Sequence, residues 1–242
     1  MAGHSKWSNI KRRKNAQDAK RGKIFQKLSK EIYVAAKQGG GDPEENPSLR
    51  LVIDKARAQN MPNDNIKRAI DKAVGSHEGE SYEEVTYEGY GPGGTAVMVN
   101  CLTDNKNRTA STVRLAFTKN GGNLGETGCV AYMFERKGYL VIDRAKTEVD
   151  EEEMLLQVIE AGGEELETSD DVFEIYTDPQ DFMDVKDALE KEGFSFITAE
   201  ITMLPQTYTS LNDEEAEKMD HMIDMLEDND DVQDVYHNFS GE

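Results

Sequence analysis

Cysteine and histidine are scarce in this 242-residue chain, and each scarcity excludes something. Two cysteines, Cys101 and Cys129, are too few for a disulfide framework and lack C-x-x-C spacing, which fits a reducing compartment. The four histidines, His4, His77, His221 and His237, share no helical ligand spacing, which argues against a zinc site. No apolar run approaches the ~20 residues that a membrane span needs. No apolar segment stands behind the N-terminal charge before Ile24, so the pattern of a secretory signal is missing. Acids are nearly absent from the start of the chain: residues 1–30 hold ten Lys and Arg and a single acid, Asp18.

That last scarcity is the most informative, because the whole chain carries a formal charge of -20. Through Gly75 there are 17 bases and 8 acids; the remainder has 11 bases and 40 acids, a charge of -29. Positive charge gathered at one end implies a polyanion-binding head on an acidic body. Lys6, Lys11, Arg12, Arg13, Lys14, Lys20, Arg21, Lys23, Lys27 and Lys30 would neutralise phosphates. Trp7 lies among them and has two readings, a stacking platform for a base or a hydrophobic plug fixing the arm on a helical bundle.

Periodicity divides the rest. A basic arm reaches about Ala16, and a helix then runs to about Gln38 with Ile24, Phe25, Leu28, Ile32, Ala35 and Ala36 on one face. Lys20, Lys23, Lys27 and Lys30 form a stripe nearly opposite that face. Asn46-Pro47 opens a second helix and Asn63 caps a third. Beyond Ser76 strands are expected at Val85–Tyr87, Thr95–Leu102 and Val130–Phe134, with a helix over Asn107–Lys119 capped by Thr103 or Asp104. From Tyr139 to Met203 the order is β-α-β-β-α-β, the ferredoxin-like arrangement. A helix near Asp213–Leu226 and a strand near Val232–His237 are left over and cannot stand alone. The expected fold is therefore α+β with three domains. A basic arm and three-helix domain occupies 1–78. A discontinuous α/β domain is built from 79–134 and 206–242, and a ferredoxin-like α/β domain at 135–205 is inserted in it. Both sheets are expected to be mostly antiparallel.

Three further features bear on chemistry. Thr103-Asp104-Asn105-Lys106-Asn107-Arg108-Thr109 is dense in polar groups, and Asn105, Asn107 and Arg108 would suit RNA or phosphate contact. Gly121-Gly122-Asn123-Leu124-Gly125-Glu126-Thr127-Gly128 lacks the Lys of a Walker loop and follows a helix, so it reads as a loop with positive φ. The acid runs Glu151–Glu153 and Glu214-Glu215 fall on helix starts, where they favour the macrodipole. Neither a catalytic grouping nor a cofactor or metal site can be proposed from spacing.

The motifs Met1-Ala2-Gly3-His4-Ser5-Lys6-Trp7, Ala58-Gln59-Asn60-Met61-Pro62, Tyr87 to Gly94, Thr103-Asp104-Asn105, Asn107-Arg108-Thr109 and Gly121 to Gly125 closely resemble the YebC family over essentially the whole chain. Where the family usually shows Gly-Ser-Val, this chain has Gly128-Cys129-Val130. The resemblance implies a helical domain followed by two α/β domains, and a non-enzymatic role in gene expression. Members carry the label of DNA-binding transcriptional regulators. The family also includes a mitochondrial translational activator of cytochrome oxidase and ribosome-associated factors that relieve stalling on proline-rich stretches. Because the family motif starts at residue 1, a bacterial cytoplasmic member is expected. The acidic body favours ribosomal RNA and the ribosome as partner, with DNA as the alternative and a magnesium-dependent nuclease as a remote third. A monomer without cofactor or membrane contact is expected.

Overall fold

The computed structural model describes Trp7, residues 21–75 and residues 81–240. Helices α1 (Arg21–Gly39), α2 (Pro47–Ala58) and α3 (Asn63–Gly75) precede strands β1 (Glu83–Tyr90) and β2 (Ala96–Thr103), helix α4 (Lys106–Lys119) and the short β3 (Asn123–Leu124). Next come β4 (Phe134–Asp143), α5 (Glu151–Ala161), β5 (Glu165–Thr168), β6 (Val172–Thr177), α6 (Phe182–Lys191) and β7 (Phe196–Pro205). The chain continues through β8 (Thr209–Ser210), α7 (Asp213–Glu227), β9 (Val232–His237) and β10 (Phe239–Ser240). A helical N-terminal region is thus followed by two sheet-containing domains. Two compact units result, Met1–Gln17 with Glu135–Leu204, and Asp18–Phe134 with Pro205–Glu242.

In the larger unit, α1, α2 and α3 bury one stripe each. Leu28, Ile32, Ala36, Leu49, Ile53, Ala56, Ile66, Ala69 and Ala73 form their common core. Asn46 caps α2, its side-chain oxygen accepting from the Leu49 N–H at 3.1 Å while its amide donates to the Ala35 carbonyl at 2.9 Å. The sheet of this unit has the order β3-β1-β2-β9, with antiparallel neighbours. Helices α4 and α7 pack on it through Val113, Phe117, Met219 and Leu226 against Val97, Val99, Cys101 and Val235. Gly89 allows this closeness, since a Cβ there would lie 2.5 Å from the Asn123 carbonyl and 2.8 Å from the Phe117 ring.

The smaller unit has the strand order β5-β6-β4-β7, the ferredoxin-like order. Pairing of β4 with β6 sets Tyr139 opposite Tyr176 and Val141 opposite Glu174 on one face, with Leu140 opposite Ile175 on the other.

Two sequence expectations are corrected. Val130–Phe134 is not a strand: Ala131–Met133 form a 3-10 turn and β4 begins at Phe134. The Val130 and Ala131 N–H groups bond to the Glu88 carboxylate, which removes them from any strand ladder. The cap of α4 is Asn105, whose side chain accepts from the Arg108 N–H at 3.1 Å, rather than Thr103 or Asp104.

Candidate nucleic-acid interface

The lysine stripe of α1 is the first sequence-derived element of the site. Lys23 Nζ donates to the Asp228 carbonyl at 2.9 Å and lies 3.3 Å from its Oδ1. Lys27 Nζ donates to the Glu227 carbonyl at 2.6 Å, and Lys30 Nζ to the Asp230 carbonyl at 2.8 Å and Asp231 Oδ1 at 3.2 Å. These acceptors form the C-terminal end of α7 and the turn that follows it. The last turn of α7 contains no base of its own, so its orphan carbonyls and negative dipole end are capped by lysines of another helix. In this structure Lys23, Lys27 and Lys30 of the stripe are thus engaged by acceptors of the same chain, which their spacing in sequence does not disclose. Burial draws the Lys27 ammonium below the usual lysine value, against the opposing pull of Glu227, Asp234 and Asp230.

Asp231 holds the same corner together. Its buried Oδ2 accepts from Arg108 Nη2 at 2.7 Å, Arg108 Nε at 3.2 Å and Thr109 Oγ1 at 3.0 Å. Burial pushes its carboxyl up, but bonds from Arg108, Thr109 and Lys30 bring it below the usual carboxylate value. Arg108 also bonds Asp104 Oδ1 at 2.8 Å, so its guanidinium is engaged by two carboxylates. Of the polar loop, Asn105 is occupied as a cap, Arg108 as an anchor, and Asn107 is exposed. A polar cleft of about 380 Å³ opens beside these residues, lined in part by Lys30, Tyr82, Arg108 and Asp230.

Glu88 was missed by the sequence reading. Its carboxylate is buried on β1 and accepts three backbone N–H bonds: Gly128 at 2.7 Å on Oε1, with Val130 at 2.9 Å and Ala131 at 2.8 Å on Oε2. Burial raises this carboxyl, and the three N–H bonds more than reverse it, leaving it below the usual value. Gly128 reaches the carboxylate with φ +90°, in the left-handed region. The glycine-rich loop is thus pinned from β1, and Tyr90 Oη adds a bond to the Cys129 carbonyl at 3.1 Å. An acid inside a strand, the Glu of the Tyr-Glu-Gly-Tyr-Gly motif, was the available signal.

Trp7 is 7% exposed and packs with Tyr139, Val141, Val172, Tyr176 and Leu204 of the smaller unit. Its backbone N–H donates to Glu174 Oε1 at 2.8 Å, the oxygen that also accepts from Tyr139 Oη at 2.6 Å. This corrects the stacking reading, because the indole is buried; it also places the residue on the ferredoxin-like sheet rather than on the helical bundle. Lys6, Lys11, Arg12, Arg13, Lys14, Lys20 and the side chain of Arg21 lie outside the described residues. Cys129 is half-buried, and burial raises its thiol above the usual value. Among the described residues, no three His, Cys, Asp or Glu converge so as to hold a metal ion, and no helix is long and apolar enough to cross a membrane.

A helical head fastened by lysines to a mixed α/β body, with a loop pinned on a buried glutamate, defines a multi-domain scaffold carrying a concentrated N-terminal charge. Family models described as the TACO1/YebC protein N-terminal domain and the TACO1/YebC second and third domain match residues 5–76 and 82–239. The chain belongs to the TACO1/YebC family. It is 71% identical to a probable transcriptional regulatory protein of Geobacillus sp. strain WCH70 over 98% of this chain and 97% of that protein. It is 63% identical to the probable transcriptional regulatory protein YrbC of Bacillus subtilis strain 168, over 99% of each. The crystal structure of a conserved hypothetical protein, Aq1575 from Aquifex aeolicus, superposes with a TM-score of 0.80 at 50% identity, covering 92% of this chain and 91% of that one.

Proposed function

We propose that this chain is a non-enzymatic, cytoplasmic regulator of gene expression that acts by binding nucleic acid. The observation that carries the reading is the set of ten bases against one acid in residues 1–30. Seven of those bases remain as the primary phosphate contacts once Lys23, Lys27 and Lys30 are assigned to the α7 corner: Lys6, Lys11, Arg12, Arg13, Lys14, Lys20 and Arg21. Such contacts release counterions and give affinity with little sequence readout. The names of the two curated relatives support duplex DNA as the target and transcription as the process.

A second reading is favoured by one observation. The chain beyond Gly75 carries -29, and long duplex DNA would repel it. A ribosomal RNA pocket accepts a basic head while the acidic part projects away. On this reading the protein is a ribosome-associated factor that relieves stalling on proline-rich stretches. The two are separated by gel shift on promoter-length duplex DNA at physiological salt and by co-sedimentation with ribosomes. Each is run with the full chain and with Lys11, Arg12, Arg13 and Lys14 changed to Gln. Transcription expects an arm-dependent shift, and translation expects arm-dependent co-sedimentation. A chain that does neither refutes the proposal.

A further inference from the structure

The corner that occupies the lysine stripe has the chemistry of a short polyanion. Between Glu227 and Asp231 it offers the carbonyls of Glu227, Asp228 and Asp230 and the carboxylates of Asp228 and Asp231, all within hydrogen-bonding or ion-pairing reach of Lys23, Lys27 or Lys30. The negative end of α7 adds to them. The stripe spans about 10 Å along α1 at ~1.5 Å per residue, room for about three phosphates at ~3.4 Å per nucleotide in a strand. The lysines lie beside the basic arm in sequence and on the side of α1 away from its apolar core.

We infer that the Lys23–Lys27–Lys30 face is a second nucleic-acid-binding surface, held closed by the acidic corner at 227–231, and that a phosphate backbone seated on the arm exchanges for that corner. The inference rests on the proposed nucleic-acid binding. Opening costs the bonds of the corner, so the stripe engages only a strand already bound at high local concentration by the arm. The latch thereby favours long, continuous polyanions over isolated phosphates. The Lys23–Asp228 pair is exposed, hence weak and screened by salt, and is the first to exchange; the part-buried contacts of Lys27 and Lys30 yield after it.

The test uses the full chain with a 30-nucleotide poly-U RNA and a duplex DNA of the same length, each titrated at several salt concentrations. Asp228 and Asp230 are exposed, so Asp228→Asn with Asp230→Asn loosens the latch without emptying the core. A control, Glu151→Gln with Glu152→Gln, removes the same charge from the exposed start of α5. The latch variant is expected to bind about threefold more tightly than the control, and hydrogen exchange across 226–234 is expected to accelerate when RNA is added to the wild type. Changing Lys23, Lys27 and Lys30 to Gln is expected to lower the log–log salt slope on RNA by up to about 2. Latch and control variants that bind alike, with unchanged exchange at 226–234, would overturn the inference. If the wild type binds neither probe at low salt, the proposed function itself fails. If binding is lost only with the arm substitutions, that function stands and the latch does not.

Discussion

Replacing Glu88 by Gln tests the physical account of the glycine-rich loop. The carboxylate accepts three N–H bonds and an amide can accept with only one oxygen. Retaining Val130 and Ala131 on that oxygen sets the new NH2 group against the Gly128 N–H. One charge-assisted bond is lost and two become neutral. Hydrogen bonds to charged groups contribute about 1.5–3 kcal/mol and neutral ones about 1, so the variant should lose at least about 2.5 kcal/mol of local stability. At about 1.4 kcal/mol per tenfold, exchange of the Gly128, Val130 and Ala131 amides should accelerate at least about 60-fold. The pH dependence has a definite sign. The folded carboxyl lies below its ordinary value, so its contribution is complete above the unfolded pKa of about 4.3. It is lost as pH falls through the folded value. The gap between wild type and variant should therefore be widest near pH 7 and narrow on acidification below about pH 4. Amide exchange within threefold of wild type at pH 7, or a gap that does not change with pH, would refute this reasoning.

Asp231→Asn should lower the melting temperature of the larger unit and cost about 1–3 kcal/mol, because buried bonds to Thr109 and Lys30 are weakened while half-exposed Arg108 loses less; an unchanged thermal scan would contradict this. Trp7→Ala should empty a buried site on the ferredoxin-like sheet and cost about 3 kcal/mol, seen as earlier urea unfolding of that unit with an unaltered salt slope for nucleic-acid binding. Cys101, buried and with its thiol pushed up to about 12, should resist native-state labelling at pH 8, and Cys129, half-buried, should label slowly; Cys129→Ser should leave nucleic-acid affinity unchanged.

Local features of the fold were legible because their causes are local. The 3.6-residue period that selects Leu28, Ile32 and Ala36 is written within one helix, and so is the Asn46-Pro47 start of α2. The β-α-β-β-α-β order from β4 to β7 follows from alternation and turn chemistry. The site was less legible because its partners are remote. Lys23 meets Asp228 across 205 positions, and nothing in the lysine spacing distinguishes an acid of the same chain from a phosphate. Glu88 is satisfied by backbone N–H groups about 40 residues on, which have no side-chain signature. Trp7 finds Glu174 167 positions away, so its neighbours in sequence suggested charge where its neighbours in space are apolar. The short apolar run Val130–Phe134 looked like a strand because periodicity cannot reveal that its first two N–H groups are taken.

The central claim is that affinity for nucleic acid resides in the basic arm. Its most direct test is the slope of log K against log salt for duplex DNA, measured for the full chain and for the chain with Lys11, Arg12, Arg13 and Lys14 changed to Gln. Each lost phosphate contact removes about 0.9 from the slope, so a decrease of up to about 3.6 is expected, with weaker binding to every sequence. A slope that stays the same after all four charges are removed would contradict the account.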